Sequence, residues 1–163
     1  MLKRLILGVV AAMFIVFDLF VNTAAAVQVD EEIRTVTLNE AGEEVTLTET
    51  EAELGKRLFN NVCSQCHAGG RTKTNPNVGI GIETLKYAEP PRDNVLNLAE
   101  YMRNPTTYDG EQELYLLHPN TTRADLWPEM RNLTDGELEA IAGYILIQPK
   151  VRGVMWGGGK VYN

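Results

Sequence analysis

The chain has 163 residues, room for one domain, and carries 22 acidic against 15 basic side chains for a net charge of −7. A surface this acidic does not suit nucleic acid or anionic lipid; it suits solubility, or docking on a basic partner surface. The two cysteines both fall within one short stretch, "VCSQCH".

The chain opens with a basic "MLKR", the apolar run "LILGVVAAMFIVF" and the small residues "VNTAAA", which is the build of a secretory signal peptide cleaved after Ala26. The run is short for a membrane span and Asp18 interrupts it, so residues 1–26 are expected to be removed rather than kept as an anchor. No later run is long or apolar enough to cross a bilayer. Residues 27–163 then form a single domain. Its first element is a β-hairpin over 34–47: Val36, Leu38, Val45 and Leu47 share one face, and Asn39 to Glu43, with Gly42, make the turn.

Thr48 and Glu51 form a capping box that starts a helix, and Leu54, Leu58 and Val62 recur every four residues along it. That helix delivers Cys63 to His67, and the loop "AGGRTKTNPNVGIG" comes next. A second helix covers "RDNVLNLAEYMRN", with Asp93 as its cap, Val95, Leu98 and Met102 as its stripe, and Pro105 as its stop. After the turn "PTTYDG", "EQELYLLH" reads as a short helical piece ending at His118, with Glu111 and Glu113 on its solvated face. "TRADLWPEM" reads as another such piece. The last helix, "LTDGELEAIAGYILIQ", has a capping box at Thr134 and Glu137, a stripe of Leu138, Ile141 and Ile145, and Pro149 as its close. The tail over 148–163 is Gly-rich and without a period, and there are no internal repeats. Trp156 and Tyr162 in the tail are either interface anchors or part of a strap on the protein's own core.

Cys63, Cys66 and His67 make a C-x-x-C-H motif, the signature of covalent c-type haem attachment. Two thiols at this spacing can add to the two vinyl groups of one haem, and the adjacent imidazole lies under the iron. The rival, a thioredoxin-like redox pair, belongs in a strand–helix context; here an amphipathic helix precedes the motif, and the chain is expected to be exported. The stretch 48–147 resembles the class I cytochrome c fold, in which a glycine and an aromatic on the first helix meet an aromatic on the last. Gly55, Phe59 and Tyr144 stand at those places.

Carriers of that class commonly supply a methionine before a proline as the sixth iron ligand. Here Trp127 precedes Pro128, and Met130 lies three residues on; Met102 and Met155 are elsewhere. The second of the two histidines, His118, ends an apolar piece in the middle of the fold. The sixth position therefore belongs to His118, to Met130 or to no side chain. His/Met ligation raises the potential, whereas two imidazoles favour ferric iron and lower it, which fits poorly with a shuttle between high-potential partners.

Taken with "NNVCSQCHAGG", "TKTNPN", "PPRDN", "YMRNPTTYDGEQEL", "HPN", "MRNLT", "AIAGYIL" and "WGGGKVY", the whole of 27–163 resembles the extrinsic low-potential cytochrome c (cytochrome c-550 type) of cyanobacterial and algal photosystem II. The resemblance implies a mainly α, class I cytochrome c-like domain with an N-terminal β-hairpin and an extended C-terminal tail. It implies one covalently bound haem c, attached at Cys63 and Cys66, with His67 and His118 as the axial pair. It further implies a non-enzymatic subunit in the thylakoid lumen, docked on the lumenal face of photosystem II beside the other extrinsic subunits. There it would shield the manganese–calcium cluster and help retain calcium and chloride. Two other classes compete: a soluble electron carrier with His/Met ligation, and a haem enzyme such as a peroxidase with an open iron site.

Overall fold

A computed structural model describes residues 30–158. The expected signal peptide and the end of the tail, Tyr162 included, lie outside the described residues. The first described element is a single helical turn, α1 (Glu31–Arg34), which leads into an antiparallel hairpin of β1 (Thr35–Thr37) and β2 (Glu44–Thr46). Val36 pairs with Val45, so the apolar residues fall on one side as the alternation predicts. Val36 and Leu47 are buried, with Leu38 and Val45 packed against the same core. Gly42 sits in the turn at φ 79°, a left-handed conformation that glycine adopts freely.

The first long helix, α2 (Glu49–Leu58), starts at the Thr48–Glu51 capping box, with both reciprocal hydrogen bonds formed. Its buried face differs from the one that the Leu54, Leu58 and Val62 stripe predicts, and is the Gly55 and Phe59 face that the resemblance implies. Leu54, Leu58 and Val62 are only half-buried; the buried residues are Gly55 and Phe59. The reason is a close helix crossing. A Cβ on Gly55 would lie 2.0 Å from the Ala140 carbonyl oxygen and 2.9 Å from the Tyr144 Cβ on the last helix. Only a residue without a side chain allows this approach, and the ring of Phe59 then lies 5.3 Å from that of Tyr144.

Beyond α2 the backbone widens into a π-helical turn (Phe59–Cys63), where the Ser64 N–H reaches back to the Phe59 carbonyl. The short α3 (Ser64–His67), a 3₁₀ turn (Ala68–Gly70) and α4 (Ile82–Lys86) come after it. Helix α5 (Val95–Arg103) buries Val95, Leu98, Ala99 and Met102. Its cap is Asn94, whose side chain accepts from the Asn97 N–H, and not Asp93 as the sequence suggests. Asn94 is buried at the position where its oxygen points into the helix start.

The stretch 111–118 is not a helical piece. It is an irregular strand edge and turn: Glu113 bridges Thr106, and the N–H groups of Leu117 and His118 both reach the Leu114 carbonyl. Glu111 and Glu113 are therefore exposed on a loop rather than on a helix. "TRADLWPEM" likewise forms turns, ending in a 3₁₀ turn (Pro128–Met130). The last helix, α6 (Asp135–Arg152), has its expected capping box at Thr134 and Glu137 but runs past Pro149. Leu138 and every residue from Ala140 to Gln148 are buried, so packing on all sides outweighs the hydrogen bond that Pro149 cannot donate. The Lys150 ammonium then donates to the Glu32 and Thr35 carbonyls, tying α6 to α1 and the hairpin.

The tail turns back over the core through a 3₁₀ turn (Gly153–Met155). Trp156 is buried against Phe59 (5.6 Å between ring centres) and Tyr144 (6.3 Å), and its indole N–H donates to the Ile80 carbonyl. Of the two roles open to Trp156, its place is on the protein's own core. Among the described residues no helix is long and apolar enough to cross a membrane. A methyl group placed at the α2–α6 crossing has no free space, so Gly55→Ala is expected to cost more than about 2 kcal/mol, read as a lower denaturant midpoint in equilibrium unfolding.

Candidate functional site

The C-x-x-C-H stretch is positioned by α2 and the π-helical turn that extends it. Cys63 is half-buried at the start of α3, and Cys66, one helical turn on, is exposed. Burial, with the neighbouring Cys66 adding to it, pushes the Cys63 thiol up to about 12. His67 closes α3, and its Nδ1 lies 3.2 Å from the Thr72 hydroxyl. The next loop is fastened close by: the Lys73 N–H donates to the Cys66 carbonyl, the Ile80 N–H to the Gly70 carbonyl and the Gly157 N–H to the Gly69 carbonyl.

His118 reaches the site from a loop that has little regular structure, held by side chains instead. Its Nδ1 is 2.8 Å from the Pro119 carbonyl, which fixes Nδ1 as the protonated nitrogen and leaves Nε2 as a free lone pair. Asn120 is fully buried behind it. The Asn120 amide donates to the carbonyls of Tyr115 and His118, at 3.0 and 2.7 Å, and its oxygen accepts from the Arg123 N–H at 2.7 Å. The Trp127 indole N–H holds the Tyr115 carbonyl from the other side. The Tyr101 ring, on α5, meets the His118 ring edge-on at 5.1 Å.

The two histidines are brought together, with ring centres 6.1 Å apart and planes inclined by 46°. Burial lowers the pKa of His67. Burial, chiefly, and then the proximity of His67 bring His118 down to about 4. At neutral pH both rings are therefore uncharged, the form that binds a metal. Their separation fits one metal ion between them. A first-row metal–imidazole bond of about 2.0–2.1 Å on each side, plus the distance from each nitrogen to its ring centre, comes to about this value. The donor set of two thiols one helical turn apart and two opposed neutral imidazoles suits a covalently tethered haem.

The methionines stand elsewhere. Met130 is packed in the hydrophobic core ahead of α6, Met102 is buried on α5, and Met155 is exposed. Three supporting residues were not singled out from the sequence: Thr72, Tyr101 and Asn120. "HPN" is visible as a fragment, but nothing in its spacing shows that the Asn side chain turns inward to tie three backbone groups.

The chain matches the family model described as "Cytochrome c-550 domain" over residues 27–163. It is 59% identical to Photosystem II extrinsic protein V of Aphanothece halophytica, with both chains covered in full. It is 54% identical to the protein of the same name from Gracilaria tenuistipitata var. liui, over 93% of this chain and 92% of the relative. Among solved structures, that of cytochrome c549 superposes with a TM-score of 0.77 at 48% identity, covering 79% of this chain and all of the other. The PsbV2 cytochrome of Thermosynechococcus elongatus superposes with a TM-score of 0.61 at 36% identity, over 71% of this chain and 82% of that one. The mainly α, class I cytochrome c-like fold expected from the sequence is the fold observed.

Removing the Asn120 side chain takes the partner from the His118 carbonyl and the Arg123 N–H, while the Tyr115 carbonyl keeps the Trp127 indole. Asn120→Ala is expected to lower stability by about 2 kcal/mol or more, and to speed hydrogen exchange at the Arg123 amide more than at the buried amides of α6.

Proposed function

The chain belongs to the cytochrome c-550 family, and on that footing we propose that it is an extrinsic, haem-containing subunit of photosystem II on the lumenal side of the thylakoid membrane. It is not an enzyme. It stabilises the oxygen-evolving manganese–calcium cluster and the retention of calcium and chloride by covering the lumenal face beside the other extrinsic subunits. Residues 1–26 direct export and are removed.

Cys63 and Cys66 hold one haem by thioether bonds, and His67 and His118 are its axial ligands. The observation that carries this assignment is the opposition of the two neutral imidazoles across 6.1 Å, with the Pro119 carbonyl fixing the His118 tautomer. The bound haem supplies a one-electron iron couple. The chain's own residues orient the ligands: Thr72 and Pro119 face the outer nitrogens, and Asn120 fixes the loop that carries His118. Two imidazoles favour the ferric state relative to a His/Met pair. The names of the relatives and the identity over their whole length support association with photosystem II. A soluble lumenal electron carrier is the alternative, but it relies on a methionine ligand, and Met130 is packed in the core.

Two experiments bear on this reading. In His118→Met the midpoint potential is expected to rise and the optical spectrum to change; an unchanged spectrum removes His118 from the iron. In a salt wash of photosystem II particles, the haem protein is expected to leave the particles together with oxygen evolution, and activity to return on readdition. A protein found free in the lumenal fraction, whose removal leaves activity intact, overturns the subunit assignment in favour of the carrier.

A further inference from the structure

Arg92 is the one arginine among the buried polar residues of the described chain. It comes from the segment before α5, and no element of the proposed function uses it. One guanidinium nitrogen donates to the Thr106 carbonyl at 3.3 Å, the Thr106 hydroxyl at 3.1 Å and the Thr107 carbonyl at 2.7 Å. These acceptors are neutral, and among the described residues Arg92 makes no ion pair. Glu100, the carboxylate on the neighbouring helix turn, is engaged by Arg103 and Asn104. A guanidinium keeps its proton even where burial lowers its pKa, so a full positive charge, with no carboxylate of the described residues paired to it, is held inside the fold.

The charge lies next to a ring that itself contacts His118. The guanidinium carbon stands 4.0 Å from the centre of the Tyr101 ring, a cation–π stack, and the same ring meets the His118 imidazole 5.1 Å away. One aromatic ring thus separates a buried cation from the imidazole. The intervening medium is protein rather than water, so the field is weakly screened.

We propose that Arg92 raises the reduction potential of the haem iron, acting through space and through the Tyr101 ring on the His118 side of the site. The inference rests on the axial assignment of His67 and His118. Ferric iron carries one positive charge more than ferrous iron, so a fixed cation nearby destabilises the oxidised form and favours uptake of one electron. In a site where two imidazoles pull the potential down, Arg92 limits the fall. Arg92 is a field-setting residue that is linked to His118 through the Tyr101 ring.

The test is a redox titration of the haem-loaded, full chain in three variants. Arg92→Gln keeps hydrogen-bonding capacity and removes the charge; its ferric/ferrous equilibrium is expected to shift about tenfold toward ferric, a fall of about 59 mV for one electron. Arg92→Lys keeps the charge and is expected to stay near the wild type. Thr106→Asp places a carboxylate on the guanidinium and is expected to lower the potential with Arg92 still in place, which decides the matter if Arg92→Gln does not load haem. An unchanged potential in Arg92→Gln, a fall in Arg92→Lys as large as in Arg92→Gln, or no fall in Thr106→Asp overturns the role. The low-spin spectrum separates the two assignments. A wild type without the bis-imidazole signature overturns the axial pair, whereas an unchanged potential beside an intact signature overturns Arg92 alone.

Discussion

At Gly55 the first long helix has no side chain, and the backbone of α6 occupies the space that one would fill. The Ala140 carbonyl comes so close that any Cβ at position 55 would overlap it. This contact sets the angle and depth at which α2 crosses α6, and with them the place where α2 ends. The site depends on that end point, because the π-helical turn, Cys63, Cys66 and His67 continue from α2 without a break. The same crossing stacks Phe59 on Tyr144 and opens the slot that Trp156 closes from outside.

The two sides of the candidate haem site are built by different physics. His67 stands on hydrogen-bonded helix and is braced by the loop after it, which the returning tail clamps through the Gly69 carbonyl and Ile80 carbonyl. His118 stands on a loop with little secondary structure. Its backbone groups are satisfied by Asn120 and by the Trp127 contact with Tyr115, so a buried side-chain amide and an indole replace the helix ladder that supports His67. A loop held in this way can present a ligand without the geometric limits of a helix face.

The electrostatics of the site come from burial. Both imidazoles are kept neutral by the cost of charging them in a poorly hydrated place, which leaves lone pairs for a metal. In the aromatic chain beside His118 the charge is positive, the stacked Arg92.

Much of this was legible in the residues alone. The C-x-x-C-H spacing, the two capping boxes at Thr48 and Thr134, and the period-2 alternation of Val36, Leu38, Val45 and Leu47 are local patterns, dictated by helix, strand and ligand geometry, while the Gly55, Phe59 and Tyr144 set follows from the resemblance to class I cytochromes c. The outward turn of the Leu54 stripe on α2, the run of α6 past Pro149 and the non-helical form of 111–118 were not legible, because each is decided by partners distant in the sequence. Leu54 is as apolar as a core residue should be, yet the close approach at Gly55 turns it outward. Pro149 should stop a helix, yet burial on every side of α6 outweighs one lost hydrogen bond. His118 was a candidate beside Met130 from the sequence; only the fold puts Met130 into the core and stands His118 opposite His67. By itself the sequence determined the haem-type motif, the mainly α class and the helix starts, since these depend on neighbours a few residues apart. The tertiary structure alone decided which ring faces His67 and which buried cation stands behind it, since those contacts form only when segments far apart in the chain exclude water between them.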